Sequence, residues 1–416
     1  MKFREGKGSG AQPNQSIVAF PWQDVQGDLK LEILSRLPTK SLLRFKCVCK
    51  HWFSLFSDPS FIHKHVLHRA STTCGNDNDN ILLIHGYDQK FVRFTSSLLK
   101  LKDPSNPVTF NLNQFSDKNY LCDMNLVGSI DGLVCLCSAR RPNGRNWKSI
   151  LWNPTTKQYT NIPTPNIEFP SSFGYFTIGF CFDSLRNDYK IVRLVWCLSS
   201  QTRPPPRAEV YSVSADCWRE IKVEISFDFV QCECDTIVRG NPYWLAHAPY
   251  SVEPSAFVVW FDACEEVFRK GPLLVSSRNK NDQRPVNFEN SLALLTSTFS
   301  APQGTLESTI SLWVMEDESS TWSMKFSAEF SSYVTLVGCS KNGQILFFTN
   351  DVHEMQLYNP KTKETTNIQI DLEGLRLLRF RVSDYAASLV PVRKSKQAEK
   401  EETTGGRDSY VSAPQR

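Results

Sequence analysis

Two textures of apolar spacing divide the chain. From Val25 to Phe61 the spacing is helical: Leu29, Ile33, Leu34 and Leu37 fall on one stripe, with Lys30, Glu32 and Arg36 off it. Leu37-Pro38 stops that helix, because proline disfavours helix in the residue before it. Thr39 is placed to cap a second short helix, with Leu42, Leu43 and Phe45 as its apolar side. Val48, Trp52, Phe53 and Phe56 continue on a third. Asp58-Pro59 reads as an N-cap with proline at the first helical position, opening a helix through Phe61 and Ile62. So few short helices do not close a large core alone. From Ile81 the texture changes to short apolar runs separated by turn residues. That is strand spacing, and it lasts to about Val392.

The strand region repeats. LWNPTTKQYTNI at Leu151, VYSVSADCWREI at Val210, VWFDACEEVFRK at Val259, LWVMEDESSTWSMKF at Leu312 and LYNPKTKETTNI at Leu357 each read as strand, polar turn, strand. The second strand usually carries an aromatic: Tyr159, Trp218, Phe268 or Trp322, with Thr365 in the last copy. A second hairpin precedes most copies, turning at Asp131-Gly132, Arg186-Asn187-Asp188, Gly240-Asn241 and Asn342-Gly343. Asp-Gly and Asn-Gly supply the positive φ that tight hairpins demand. The fourth copy shows no clear first hairpin. A period of roughly 50 residues and two hairpins per unit predict propeller blades of four strands. A sixth blade would come from Ile81 to Leu112, closed by strands between Leu377 and Val390, because ring closure removes an exposed sheet edge.

The flanks are polar. Residues 1–19 and 393–416 are expected to lack structure, and STTCGNDNDN, residues 71–80, to link a helical module at 20–70 to a strand domain at 81–392. The chain has 416 residues, room for one small module and one large domain, and its 12% aromatic content suits a β-rich core. A net charge of +4 is too small to argue for nucleic acid. No apolar run is long enough to span a bilayer, and the first 16 residues have no apolar core of the kind a signal peptide needs. Thirteen cysteines, scattered through apolar runs, read as reduced, buried thiols of a cytoplasmic or nuclear protein.

The two textures carry motifs of known families. DL-x-x-EIL-x-RLP-x-KSL-x-RFKCVCK-x-W-x-SL followed by SDP-x-F, Asp28 to Phe61, resembles the F-box. That motif docks substrate receptors onto the SKP-type adaptor of cullin-RING (SCF) ubiquitin ligases. One position departs: the family's usual Leu-Pro is replaced by Val25-Gln26, and Phe20-Pro21 stands in a different register. The strand region resembles the F-box-associated domain of large plant F-box families, kelch-type and S-locus-type. The carrying motifs are GLVCL at Gly132, LWNPTTKQY at Leu151, GF-x-FDS-x-x-x-DYK from Gly179 to Lys190, VYS-x-x-x-x-x-WR at Val210, SKNGQIL at Ser340 and LYNPKTK at Leu357. The paired glycines of a standard kelch repeat are missing, so the fold class expected is a small all-α F-box module followed by an all-β, kelch-like propeller of about six four-stranded blades. The resemblance implies a non-catalytic receptor subunit with no cofactor. Its partners would be the SKP-type adaptor, through it cullin and RING subunits, and a protein target, with no nucleic acid and no membrane. Adaptor contacts would come from Leu29, Ile33, Leu37, Pro38 and Leu42, with Trp52 supporting the module's packing. A regulator or scaffold without ubiquitin transfer, and a propeller enzyme with a site in the central channel, remain as alternatives.

Other chemistry is weaker. His63, His65, His68 and Cys74 suggest a metal site, but helical positions two apart diverge. The C-x-C pairs Cys47/Cys49, Cys135/Cys137 and Cys232/Cys234 read as core thiols, with strand alternation expected to part the two sulfurs of each pair. No P-loop, nucleophile elbow or H-E-x-x-H is present. The loops joining the two hairpins of each blade are long: Ser138 to Lys148, Ser199 to Arg207, His247 to Pro254 and Ser300 to Ser308. Loops at one phase of successive blades share a face, so target-binding candidates are Arg140, Arg141, Arg145, Lys148, Arg203, Arg207, His247 and Tyr250. Basic loops select a target that is acidic or phosphorylated.

Overall fold

Proline and aspartate punctuate four helices: α1 (Gly27–Ser35), α2 (Thr39–Lys46), α3 (Lys50–Leu55) and α4 (Pro59–Thr72). The computed structural model describes residues 27–72, 81–88, 93–101, 103–111, 124–138, 147–168, 174–197, 205–224, 228–229, 234, 236–247, 256–272, 283–300, 307–316, 321–349, 355–368 and 380–392. Asp58 caps α4 as its sequence foretells: Oδ1 accepts from the N–H of Ser60 at 2.9 Å and of Phe61 at 3.2 Å. Thr39 does not cap α2. Pro38 stands at that N-cap, and the buried Thr39 hydroxyl instead donates to the carbonyl of Ala387 at 2.9 Å. The predicted stripe of α1 also splits. Leu34 faces inward with Leu31 packed beside it, while Leu29 and Ile33, one helical turn apart, face out. Val48 and Phe53 are exposed as well, leaving Trp52 and Phe56 as the inward aromatics around α3.

Six antiparallel sheets follow. The first contains β1 (Ile81–Asp88), β2 (Arg93–Lys100) and β3 (Asp103–Asn111). The second contains β4 (Met124–Ile130), β5 (Leu133–Ser138), β6 (Ser149–Asn153) and β7 (Gln158–Ile162). The third contains β8 (Gly174–Asp183), β9 (Asp188–Cys197), β10 (Arg207–Ser212) and β11 (Cys217–Ile221). The fourth contains β12 (Asp228–Phe229), β13 (Thr236–Val238), β14 (Asn241–His247), β15 (Ala256–Asp262) and β16 (Val267–Pro272). The fifth contains β17 (Gln283–Phe288), β18 (Ser291–Ser300), β19 (Glu307–Glu316) and β20 (Thr321–Phe330). The sixth contains β21 (Val334–Cys339), β22 (Ile345–Thr349), β23 (Met355–Asn359) and β24 (Glu364–Ile368). The final strand, β25 (Arg381–Tyr385), returns to pair with β1, so the first sheet reads β25-β1-β2-β3 and the six-bladed ring closes.

Two details go beyond the repeat. The fourth blade has a fifth strand, because β12 pairs with the end of β14 that β13 leaves free. The missing hairpin of the fourth repeat is β17–β18, which turns on Glu289 (φ 50) and Asn290 (φ 63). That is the left-handed pair a tight turn needs, made without glycine.

Antiparallel order assigns the faces. Within a blade, the turns between first and second and between third and fourth strands lie on one side, and the second-to-third loops lie on the other. β1 starts on the tight-turn side, where its first residue pairs with Tyr385 at the end of β25. The helical module sits there too. Leu34, Leu42, Phe56, Phe61 and Ile62 share one core with Val127, Leu133, Leu389 and Val390. Residues 386–392 are the strut between module and ring. Asn153 Nδ2 donates to the carbonyls of Ser388 (3.2 Å) and Val390 (2.8 Å), and Tyr385 and Thr155 share a hydroxyl hydrogen bond of 2.7 Å. At Gly132 (φ +78), a Cβ would meet the Ala386 carbonyl at 2.4 Å. The GLVCL and LWNPTTKQY motifs therefore hold the strut.

Candidate adaptor and target interfaces

The inner side of the helical module is an aromatic chain. Phe45 and Trp52 (4.9 Å between centroids), Trp52 and Phe56 (6.0 Å), and Phe56 and Phe61 (5.2 Å) pack in series. His65 is buried, and its Nε2 contacts the carbonyl of Leu37 at 3.0 Å, satisfying a chain end left open by Pro38. Glu32 ties α1 to α4. It pairs with Lys64 and Arg36 at 2.7 Å each and lies 3.0 Å from His68 Nε2, and the bonds from Lys64 and Arg36 hold its carboxyl down at about 2.

The outer side is apolar where α1 and the short helices meet solvent. Leu29 is 54% exposed and Ile33 41%, and Pro38, Val48 and Phe53 are exposed with them. Leu37 is half-buried. Leu42, expected among the adaptor contacts, has no exposed surface at all. It joins the module to the common core and presents nothing to the outer side. Trp52 packs as expected, between Phe45 and Phe56. Val25-Gln26 and Phe20-Pro21 lie outside the described residues.

On the opposite, loop-bearing face the sequence candidates divide. Arg140, Arg141, Arg145, Arg203 and Tyr250 lie outside the described residues, as does the side chain of His247, whose backbone pairs with Ala256 and Asp228. Lys148 is half-buried, and its N–H donates to Ser138 Oγ at 3.0 Å where the loop leaves β5 and β6. Arg207 is not a free cation. Its guanidinium grips Glu220 across β10 and β11 through two bonds of 2.8 and 2.7 Å. Sequence reasoning missed Trp147 and Tyr175 on this face. Trp147 lies 4.8 Å from the guanidinium of Arg193 and 5.0 Å from the Phe176 ring. Tyr175 is 45% exposed and stacks on Trp196. For Tyr175 the signal was present in the strand lengths: β8 and β9 each run ten residues and carry Tyr175 and Trp196 beyond the shorter β4 and β5.

The acidic and basic side chains of the third blade hold blades together. Lys190 Nζ donates to Asp183 at 2.5 Å, Glu266 at 2.8 Å and the Ala263 carbonyl at 3.2 Å, clamping the third blade to the fourth. Burial opposes ionisation of Asp183, yet the bonds from Lys190 and Arg186 hold its carboxyl well below the usual range. Arg193 and Glu209, both buried, pair at 2.5 Å.

The cysteines correct two expectations. Cys135 and Cys137 both enter the same core cluster, because strand positions two apart share a face. Cys47, Cys49 and Cys217 are exposed, while Cys181, Cys234 and Cys339 are buried with the first two. Among the described residues, no three His, Cys, Asp or Glu side chains gather as a metal site would require. His63 points to solvent and His65 inward, as helical spacing demands.

The fold and these faces define a helical docking module carried on a closed six-bladed propeller. Residues 82–392 match the F-box associated beta propeller domain, and residues 27–64 match the F-box domain. The chain belongs to the F-box associated β-propeller family and is a plant-type F-box protein with a C-terminal F-box-associated domain. It is 31% identical over 266 residues to F-box/kelch-repeat protein At3g17530 of Arabidopsis thaliana, covering 62% of this chain and 63% of that one, just under two thirds of its length. It is 26% identical over 400 residues to putative F-box protein At3g17490 of the same plant, covering 88% and 94%. Among solved structures, hydrazine synthase of Kuenenia stuttgartiensis is similar at 7% identity and a TM-score of 0.38, covering 76% of this chain and 48% of that one. A likeness that low carries nothing about activity. Among the described residues, no helix is long and apolar enough to cross a membrane.

Proposed function

We propose that the chain is the substrate receptor of an SCF-type cullin-RING ubiquitin ligase, acting in the cytoplasm or nucleus. The outer face of the F-box binds the SKP-type adaptor and, through it, the cullin and RING subunits. The loop face holds a protein target. The chain makes and breaks no bonds in this scheme and needs no cofactor. It raises the effective concentration of a target lysine near the ubiquitin-charged enzyme.

The observation that carries this reading is the exposed pair Leu29 and Ile33, in a module whose other side is buried against the propeller. An apolar strip left outside a packed domain marks an interaction surface. Pro38 and the half-buried Leu37 extend it. Burying one leucine contributes about 1.5–3 kcal/mol, so Leu29→Ala/Ile33→Ala should weaken adaptor binding at least about tenfold. Titration of the purified adaptor against both proteins measures this, and equal affinities would overturn the assignment. Proteasome-dependent loss of a captured protein, absent in the double variant, separates a receptor from a scaffold that transfers no ubiquitin.

The target reading rests on the loops between β5 and β6 and between β9 and β10. Their sequences carry Arg140, Arg141, Arg145, Lys148 and Arg203 with no acidic residue between Ser138 and Lys148 or between Ser199 and Arg207. Such a surface draws an acidic or phosphorylated partner and mainly raises its association rate. Arg141→Glu/Arg203→Glu should slow target capture, and added salt should do the same, with adaptor affinity untouched.

A further inference from the structure

Each blade ends on an outer strand with a sheet neighbour on one side only: β3, β7, β11, β16, β20 and β24. Five of these edges are blunted: β7, β11 and β24 are five residues long, β3 carries Pro104 and Pro107, and β16 closes on Gly271-Pro272. Short strands and proline are common defences of an edge against a further strand. β20 has neither, running ten residues from Thr321 to Phe330 without proline or glycine. It is also held in place from both sides. Phe330 packs on Phe347 (4.9 Å between centroids) and Tyr358 (5.3 Å) of the sixth blade, and Trp322 Nε1 donates to the Pro272 carbonyl of the fourth at 3.3 Å. The free edge is therefore preformed, and a pairing strand has little left to order.

The residues of that edge complement themselves. β20 reads TWSMKFSAEF, and when two copies pair antiparallel, a two-fold axis at Ser327 sets residues equally distant from it opposite each other. Lys325 then stands opposite Glu329 of the second copy, twice over. Phe326 meets Ala328, a large side chain against a small one, and Met324 meets Phe330. Moving the axis one residue either way sets Lys325 opposite a serine, Ser327 or Ser331, and loses both charge pairs. Lys325, Ser327 and Glu329 are exposed, and among the described residues neither Lys325 nor Glu329 takes part in an ion pair. Met324 is 55% exposed beside them. One irregularity limits the edge. Leu312 pairs with Phe326 and Trp313 with Met324, so Lys325 is the extra residue of a bulge and the regular ladder around the axis runs from Phe326 to Phe330. A bulge at that point favours one closed pair over open-ended stacking.

We propose that β20 is a self-association edge: two copies of this chain pair antiparallel through it, centred on Ser327, and join their fifth blades into one continuous sheet. Backbone hydrogen bonds hold the pair, and the two Lys325–Glu329 contacts select its register. The occupant is a second copy because the strand carries one cation and one carboxylate at equal distances from its own Ser327, a pattern that its own reversed copy matches. The apolar residues of β20 pack with the fourth, fifth and sixth blades, in clusters that contain no residue of the F-box helices. The dimer therefore leaves the outer face of the F-box open. A single strand edge covers less surface than an obligate dimer interface, so the association is reversible and depends on concentration.

The test is sedimentation equilibrium of the full chain over roughly 1–200 µM, where the parent should show a reversible monomer–dimer equilibrium. Lys325→Glu and Glu329→Lys each place two like-charged pairs across the axis, and each should weaken dimerisation at least about tenfold. Lys325→Glu/Glu329→Lys keeps opposite charges opposite and should restore it. Ser327→Lys brings two ammonium groups together on the axis and should leave the chain monomeric. A parent that stays monomeric throughout, single reversals that dimerise as the parent does, or a double swap no tighter than either single reversal would overturn the proposal. The substituted side chains are all exposed, and if one reversal does not fold, the other reads the same contact. Adaptor titration of Ser327→Lys should match the parent, so the edge and the receptor role are decided by separate measurements.

Discussion

Single residues on the closing strand set how stability depends on acid. Burial inside the ring pushes the Asp384 carboxyl up to about 6, so the folded protein favours its protonated form. A group raised in the folded state stabilises fully below its unfolded value and loses that contribution as pH rises through the folded one. Buried His85 has the opposite sign. Burial holds it down to about 4, so its stabilisation is lost as pH falls toward that value. The two overlap between about pH 4 and 6, and a comparison separates them. Relative to the parent, Asp384→Asn should gain Tm as pH rises from 4 to 7, as read by thermal melts across that range. A constant difference would show that Asp384 does not titrate there. At the same scale, Leu42→Ala should cost about 2–5 kcal/mol of stability, measured by chemical denaturation, because Leu42 has no exposure and joins the F-box to the common core. Leu29→Ala should cost far less while weakening adaptor capture. Nothing in the local sequence separates these two leucines, since both occupy apolar positions of short helices and only the packed neighbours differ.

At the scale of elements, the strut from Ala386 to Val392 ties module to ring. Asn153 is its main fastening, donating from one amide to two carbonyls. Asn153→Ala leaves both carbonyls without that donor and should lower stability by about 1–3 kcal/mol, which denaturant titration of the purified variant would measure. Adaptor affinity should fall with it, because Thr39 and the α2 end of the F-box rest on the same strut. If affinity is unchanged, the F-box holds its shape without the strut. Hairpins were the elements most open to reading from sequence. Asp131-Gly132 fixes its own turn by local φ alone, whereas β17–β18 hid because Glu289 and Asn290 adopt the same conformation without the glycine signal. Strand β12 was invisible for a different reason: two residues carry no periodicity, and only the free end of β14 recruits them.

For the molecule as a whole, two shortened chains separate closure from coupling. Ending the chain before Phe380 removes β25, exposes the inner edge of β1 and should give aggregates in size-exclusion chromatography. Ending it after Tyr385 keeps the ring closed but removes Leu389 and Val390 from the core shared with the F-box. That protein should remain monomeric and bind the adaptor more weakly. A fully active, equally stable product would mean that the helices form their own core. The same shared core bears on a fragment from residue 80 to 392. Without the F-box, that fragment leaves Leu389 and Val390 uncovered, so it should be less soluble than the full chain.

The sequence by itself determined what depends on near neighbours. Helix boundaries at Pro38 and Asp58, the paired hairpins, the blade repeat and the F-box letters are all short-range patterns, legible because turn chemistry and side-chain periodicity act over a few residues. The tertiary structure decided what depends on who lies opposite. It turned Leu29 and Ile33 outward and Leu42 inward, spent the Thr39 hydroxyl on Ala387 instead of a helix end, and paired Arg207 with Glu220. It also gathered Arg69, Arg239, Lys341, Arg284 and Arg381 from distant positions along one axis. Closing a ring brings the same phase of every repeat to one place, and no local pattern of letters records which charges will meet there.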